Sequence, residues 1–547
     1  MTHLYIIKNL RLPATETFLQ DLPETVSKAL NLDLEDVDDI RLVKQSIDAR
    51  RKPKIDYVIS LTCLLRVPPR ATPEGVTIEL NPPVREIPSA PQMTRKLSLP
   101  PVIIGSGPAG TFAALALAEA GQPCIIVERG EAVEQRMRTV HNFRRHGEFK
   151  PESNYCFGEG GAGTFSDGKL TCGRNHPLIE TLFRTWVKFG APEEILYQAH
   201  PHIGTDYLMR IAIRMRHYLK EQGCTYFFGR RFVDFQPGQG CRWRVSLDDG
   251  THIDTDHLII AIGHSARDTY EMLVGRGLSM APKPFAVGAR FEHPQDLINR
   301  IQYGSCDLPL TAEYKLAAHS EHGRGIWTFC MCPGGHLLPT SAQPGHLAIN
   351  GMSYHGRKSG FANAAIVVNV NREDFFRGHV LDGMRFQERI EQKAFRAAGG
   401  GYISPAQRLQ DFLDGRTSVG ELKSTYRPGV ASVRIDKLLP EFIVTALKVA
   451  LKSYNQKMRG FISHDALIAG VESKTSAPIT MLRNADGQSL SHPGIYPCGE
   501  GAGFAGGIVS AALDGLRLGR NLVMATSLTG GGMDAVPKES KADALPS

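Results

Sequence analysis

Gly105-Ser106-Gly107-Pro108-Ala109-Gly110 forms a glycine turn between an apolar run at 102–104 and a segment rich in alanine and leucine. This spacing suits the grip of a diphosphate. Gly105 permits a tight turn out of a strand, Gly107 lets bare backbone approach a pyrophosphate, and Gly110 lets the following helix pack closely on the strand. A helix starting near Pro108 aims free N–H groups and its positive dipole end at the phosphates. Proline fits a first helical turn because its missing donor is not needed there. A second apolar run, 124–127, closes with Glu128 and Arg129. Glu128 follows Gly110 by eighteen residues, near the spacing of an acid that accepts hydrogen bonds from ribose hydroxyls. Strand, turn, helix, strand and acid together predict a dinucleotide site that also counts Ala109 and Arg129 among its residues.

The first motif alone does not choose between FAD and NAD, which share the adenosine diphosphate half. Residues 494–520 carry a short apolar run at 495–496, then Gly499-Glu500, then Gly506-Gly507 opening a helical stretch at Ile508. This pattern resembles the second FAD signature of glutathione-reductase-like flavoproteins. The resemblance implies an acid on the ribityl chain and a helix N-terminus facing the flavin pyrimidine end. Glu500 stands where that pattern usually has Asp. The electrostatics fit, because reduced flavin carries negative charge near N1 and O2 and a helix N-terminus stabilises it. A third stretch, 154–173, sets Gly161, Thr164, Asp167, Gly168, Lys169 and Leu170 in a glycine-rich loop. Its bare N–H groups suit an anion or a flavin edge. Residues 256–263 read as the strand that leaves the FAD domain, and runs at 226–228, 232–235 and 243–247 as a small β-meander over the adenine side.

The segments GSGPAG, ERG, FGEGGAGTFSDGKLT, KPFAVGARFEHP, FCMCPGG, NGMSYHGR and YPCGEGAGFAGGIVSAALDG together resemble a family of uncharacterised FAD-dependent dehydrogenases, also called NAD(FAD)-utilising dehydrogenases. KQSIDARRKPKIDYVISL resembles that family's leading domain. The resemblance spans residues 1–525 and implies FAD and a redox role without supplying a substrate.

Positioning these residues requires several domains, since 547 residues exceed one core. The expected class is α/β: a glutathione-reductase-like FAD-binding Rossmann domain, an inserted α+β substrate domain and a small N-terminal α+β, ferredoxin-like domain. Boundaries are expected at 1–90 for the N-terminal domain, 97–270 for the first FAD segment, 271–465 for the insert, 466–527 for the returning FAD segment and 528–547 for a disordered tail. In the first of these, 4–7 reads as a strand, 22–32 as a helix, and 39–49 and 55–66 as strands that pair. The proline-bearing stretch 67–100 reads as a linker with one short strand at 76–80. The insert is expected to hold a mixed sheet from 285–292, 326–330, 346–354 and 365–370, flanked by helices at 375–398 and 437–459.

The balance of +7, with 22% charged and 42% apolar residues, is ordinary for a globular protein and does not demand nucleic acid. In the N-terminal strand, Tyr5 falls one position early for an RNA-recognition face, and no glycine–aromatic partner strand follows. No apolar run approaches the roughly 18 residues of a membrane span. The ten cysteines lack framework spacing or a CxxC pair, which fits a reducing cytoplasm and no metal.

No catalytic residue is assigned. Cys330 and Cys332 read as two small core residues before a turn, with a thiol beside flavin as the alternative. Ser353 and His355 are candidate proton donors, and Arg290 and His293 candidate anion ligands, with a surface pair between Arg290 and Glu292 as the alternative. His264 is expected near the adenine side. No second glycine motif follows a strand, so NAD(P)H is expected only as a transient electron donor, with a small electron-donor protein as the other source. The expected activity is that of an FAD-dependent oxidoreductase on a small molecule bound between insert and flavin. An FAD monooxygenase and a non-catalytic flavin sensor that docks a partner are the alternatives.

Overall fold

The short apolar runs around the glycine turn are buried on both faces, which is the habit of strands in a covered parallel sheet. In the computed structural model, which describes residues 2–15, 17–83, 87–173, 175–305 and 310–528, they form that sheet. Its five strands run in the order Ile495–Pro497, Leu258–Ile260, Val102–Ile104, Ile125–Glu128 and Thr225–Phe228, and every pairing is parallel. The helix Pro108–Glu119 follows the glycine turn, and Ile508–Leu528 packs along it. Small residues make that approach possible. A Cβ on Gly515 would stand 2.0 Å from the Ala109 carbonyl oxygen, and one on Gly519 2.6 Å from the Ala116 Cβ. The expected tail lies outside the described residues from 529 onward.

One expected meander strand belongs elsewhere. Thr225–Phe228 closes the edge of the parallel sheet, against Ile125–Glu128. The meander consists of Phe232–Pro237, Trp243–Leu247 and His252–Thr255, paired antiparallel. Aromatic runs of four residues fit either place, so periodicity alone does not separate them.

The N-terminal sheet is antiparallel, in the order Val37–Arg51, Lys54–Leu65, His3–Pro13, Thr77–Leu80. Lys54–Leu65 alternates strictly between buried and less buried residues, as a sheet with one covered face requires. The helix Leu22–Leu30 turns Leu22, Val26 and Leu30 inward. Residues 66–76, with Pro68, Pro69 and Pro73, link Lys54–Leu65 to Thr77–Leu80 without a helix. The strand expected inside a linker is therefore the fourth strand of this sheet. On the outer strand, the Gln45 N–H donates to the Tyr197 carbonyl (2.7 Å) and the Gln45 carbonyl accepts from the Ala199 N–H (2.8 Å). These bonds tie the sheet to the segment that precedes the helix Thr205–Glu221.

The insert is built on seven strands in the order Ala317–His319, Gly325–Cys332, Phe361–Val370, Phe285–Pro294, Leu467–Glu472, Ser404–Arg408 and Val430–Ser432. Phe285–Pro294 and Phe361–Val370 are buried almost throughout. The helices Asp382–Ala397 and Glu441–Lys457 pack against this sheet. Two expectations shift. Leu467–Glu472 pairs with Phe285–Pro294 inside the insert, so the chain returns after 472 rather than at 466. The returning Ile479–Met481 pairs with Met280–Pro282. A fully apolar run such as 467–471 fits a central strand of either sheet, and only pairing decides. Residues 346–354 supply only Ile349–Met352, which forms a separate ribbon with His336–Pro339. Among the described residues, no helix is long and apolar enough to cross a membrane.

Candidate functional site

The glycine turn, the 158–169 loop, the return at 498–508 and the insert strand Gly325–Cys332 enclose one cavity of about 810 Å³. At one end Gly105 adopts φ +101°, and a Cβ there would stand 2.3 Å from the Ala261 carbonyl oxygen. A Cβ on Gly110 would stand 2.0 Å from the Gly105 carbonyl oxygen, so Gly110 serves the contact of helix with strand and does not line the cavity. Gly107, Pro108 and Ala109 line it, with Gly107 capping the helix. Gly107 approaches Gly161 across the gap between the two loops, at 3.7 Å from a built Cβ.

Glu128 is 5% exposed and faces this end. Its carboxylate accepts from the Ser106 N–H and hydroxyl, both at 2.9 Å, and from the Gly130 and Gly158 N–H groups at 2.9 and 3.0 Å. It is thus the clasp between two loops, and a ribose hydroxyl would share an acceptor already engaged. Arg129 is similarly committed. It pairs with Glu152 (2.8 Å) and Asp268 (2.9 Å), and its guanidinium lies 4.1 Å over the Phe157 ring.

The 158–169 loop divides its expected residues. Gly161, Asp167, Gly168 and Lys169 line the cavity, while Thr164 and Leu170 do not. Thr164 donates to the Glu159 carbonyl (3.2 Å) and Leu170 is buried in the core. Asp167 is 1% exposed, and neither carboxylate oxygen has a hydrogen-bond partner. Lys169 stands 3.6 Å from Glu313. Burial works against its charge, but Asp167 and Glu313 outweigh that and raise its pKa.

On the return, Gly499 turns away from the cavity and donates its N–H to Asp514 (2.7 Å), which Arg483 holds by two bonds. Cys498 and Glu500 line the cavity instead. Burial pushes the Glu500 carboxyl up to about 7, with Lys283 pulling the other way. His264 lies 3.9 Å from Glu500, so it belongs to this end rather than near the adenine side. Gly506, Gly507 and Ile508 complete the wall, and a Cβ on either glycine would meet nothing within 4 Å.

The insert adds residues 313–315, 327–331, Asn350 and Arg357, and the chain returning from it adds Lys474 and Thr475. Sequence reasoning missed Lys474, which donates to the Thr340 carbonyl (2.9 Å), and Glu313, which pairs with His200 (2.8 Å). Neither lies in a motif of recognisable spacing. Four candidates are placed elsewhere. Ser353 is buried and donates to the Pro333 carbonyl, and His355 pairs with Glu194 at 3.2 Å. His293 is buried against the Phe461 carbonyl (2.9 Å). Arg290 is also fully buried, where a free anion cannot reach it, and its partner is Glu472 (2.8 Å) rather than Glu292. Glu292 accepts from Ser424 and Thr425 instead.

The donor set fits a flavin dinucleotide. Side chains are missing where backbone must approach, at Gly105, Gly107, Gly161, Gly506 and Gly507, and an unpartnered carboxylate waits at Asp167.

Residues 101–139 match the FAD binding domain family, residues 284–475 the FAD-dependent protein, C-terminal domain-like family, and residues 6–63 a domain of unknown function. FAD is therefore the cofactor. Solved structures overlap loosely. The halogenase PltM is 11% identical with a TM-score of 0.37, over 79% of this chain and 71% of that one. The glycine oxidase from Geobacillus kaustophilus is 11% identical with a TM-score of 0.32, over 80% and 96%. Overlaps this loose carry no argument about the reaction. An uncharacterized protein of Clostridium beijerinckii is 40% identical over 515 residues, spanning 92% of this chain and 96% of that protein. With that relative, and with both FAD-linked segments in place, the chain belongs to a family of FAD-dependent proteins.

Proposed function

We propose that this protein is an FAD-dependent oxidoreductase, a dehydrogenase or reductase, acting on a small molecule held between the insert strand and the flavin end of the cavity. One observation carries the reading: a single cavity runs without a break from the glycine turn to residues 327–331 of the insert. Flavin, when bound, supplies the electron-pair chemistry, so the chain need only orient a substrate and manage protons. Asp167 is the acceptor best suited to a substrate N–H or O–H, because no internal donor occupies it. Lys169 offers a cation beside it, and Glu500, poised near neutral pH, holds or releases a proton at its carboxylate oxygen. The arrangement of FAD segments on either side of the insert supports a glutathione-reductase-like layout. With no second dinucleotide motif, NAD(P)H or a small electron-donor protein would deliver electrons by transient contact.

The test is an anaerobic reduction screen that follows loss of the flavin's visible absorbance with NADH, NADPH and candidate metabolites. Rapid bleaching by one donor is the expected result. FAD that no donor reduces at a useful rate would favour a non-catalytic sensor. Fast reoxidation with a hydroxylated product would favour a monooxygenase.

A further inference from the structure

The insert strand Gly325–Cys332 is regular only as far as Phe329. Its ladder pairs Phe329 with Ala365 and next Cys332 with Asn363, so one residue too many lies between. Such bulges re-aim side chains and occur beside active sites. Cys330 takes φ +44°, a left-handed conformation that residues with a Cβ rarely adopt. Backbone held this way persists only where its surroundings enforce it. Here they do: buried Arg290 donates to the Cys330 carbonyl (2.8 Å), to the Asn363 side chain and to the Asn350 side chain. The result is that Cys330 faces the FAD cavity while Cys332 lies wholly buried behind it. The Cys332 thiol donates to the Cys330 carbonyl oxygen (3.4 Å). Two cysteines that only fill core volume need neither a bulge nor an opening to the cofactor.

We propose that Cys330 and Cys332 form a dithiol–disulfide couple that exchanges an electron pair with the bound FAD. The inference rests on the redox reading above and extends it to a second redox group. In the oxidising direction Cys330 reacts as its thiolate. The Cys332 S–H bond breaks and the Sγ–Sγ bond forms. The electron pair and that one proton pass to oxidised flavin, leaving its reduced anion, so atoms and charge balance. The surroundings suit this role. The neighbouring Cys332 thiol lowers the Cys330 pKa, and Arg290 and Lys169 add to it against the cost of burial.

The test uses the FAD-loaded protein, oxidised in air and then titrated anaerobically with dithionite. Wild type is expected to consume one electron pair more per FAD than C330S or C332A. Peptide mapping after alkylation of the unreduced wild type is expected to find Cys330 and Cys332 joined and protected. Because the mapping needs no variant, it decides the matter even if C332A fails to fold. Equal uptake with both sulfurs alkylated would overturn the couple while leaving the FAD reading intact. Extra uptake that maps to Cys124 and Cys224, whose buried sulfurs lie 3.6 Å apart, would overturn it too. Protein that neither carries nor takes up FAD would bring down both.

Discussion

The two ends of the cavity are built on opposite principles. At the glycine turn every charged group is engaged: Glu128 accepts four bonds, and Arg129 is held by two acids and an aromatic face. At the insert end Asp167 has no partner, Glu500 sits near neutrality, and a cysteine is turned into the opening. A saturated network resists change and defines shape. Unsatisfied buried groups cost stability and are tolerated where chemistry uses them. One end is therefore made for holding and the other for reacting.

The contrast can be broken at three points. The largest effect is expected where the two ends are joined. Arg267, just beyond the cavity wall at Ala266, pairs with Glu391 of the insert through two bonds (3.0 and 2.9 Å), and Ser473 donates to the same carboxylate. Glu391→Ala leaves a buried guanidinium with only Gln343 (2.7 Å) and a longer contact to Glu388 (3.9 Å), and should cost about 3 kcal/mol. Despite burial, Arg267 and Lys474 hold the Glu391 carboxyl at about 2, against its ordinary 4.5. Its stabilisation is then complete above pH 4.5 and is lost as pH falls towards 2. Thermal unfolding across that window should show a steeper decline in wild type than in the variant, which keeps the share due to other carboxylates such as Glu313. A mid-sized effect is expected at the holding end. Glu128→Ala strands donors on both loops and should cost about 2 kcal/mol, with FAD content falling in parallel. Retained FAD at wild-type stability would show that Glu128 is no clasp. The smallest effect on stability belongs to the reacting end. Asp167→Asn breaks no internal bond and removes a buried unpartnered carboxylate, so the fold should lose little stability, while donor-driven flavin reduction slows. Unchanged reduction would remove Asp167 from the chemistry.

The holding end is the part most legible in the amino-acid order. Gly105, Gly107 and Gly110 act through contacts a few residues away, and their spacing encodes the turn directly. The reacting end depends on long-range register. Arg290 meets Glu472 across 182 positions, and nothing near either residue announces the other. Glu292, its near neighbour, is the natural guess from the chain alone. A strand covered on both faces leaves no solvent in which such a neighbouring pair could form, so each charge finds a separate buried partner. The Cys330 bulge is equally invisible, because one surplus residue shows only against the partner strand. The pairing order of the N-terminal strands likewise rests on contacts between segments far apart in the chain.

The placement of Ile495–Pro497 beside Leu258–Ile260, with Ile508–Leu528 lying along the alanine-rich helix, has a consequence for biosynthesis. While the ribosome translates the insert, the outer edge of the parallel sheet and one apolar helix face stay bare. Open edges and uncovered apolar surfaces invite misassociation. That half-built layer must stay shielded until the closing segment emerges.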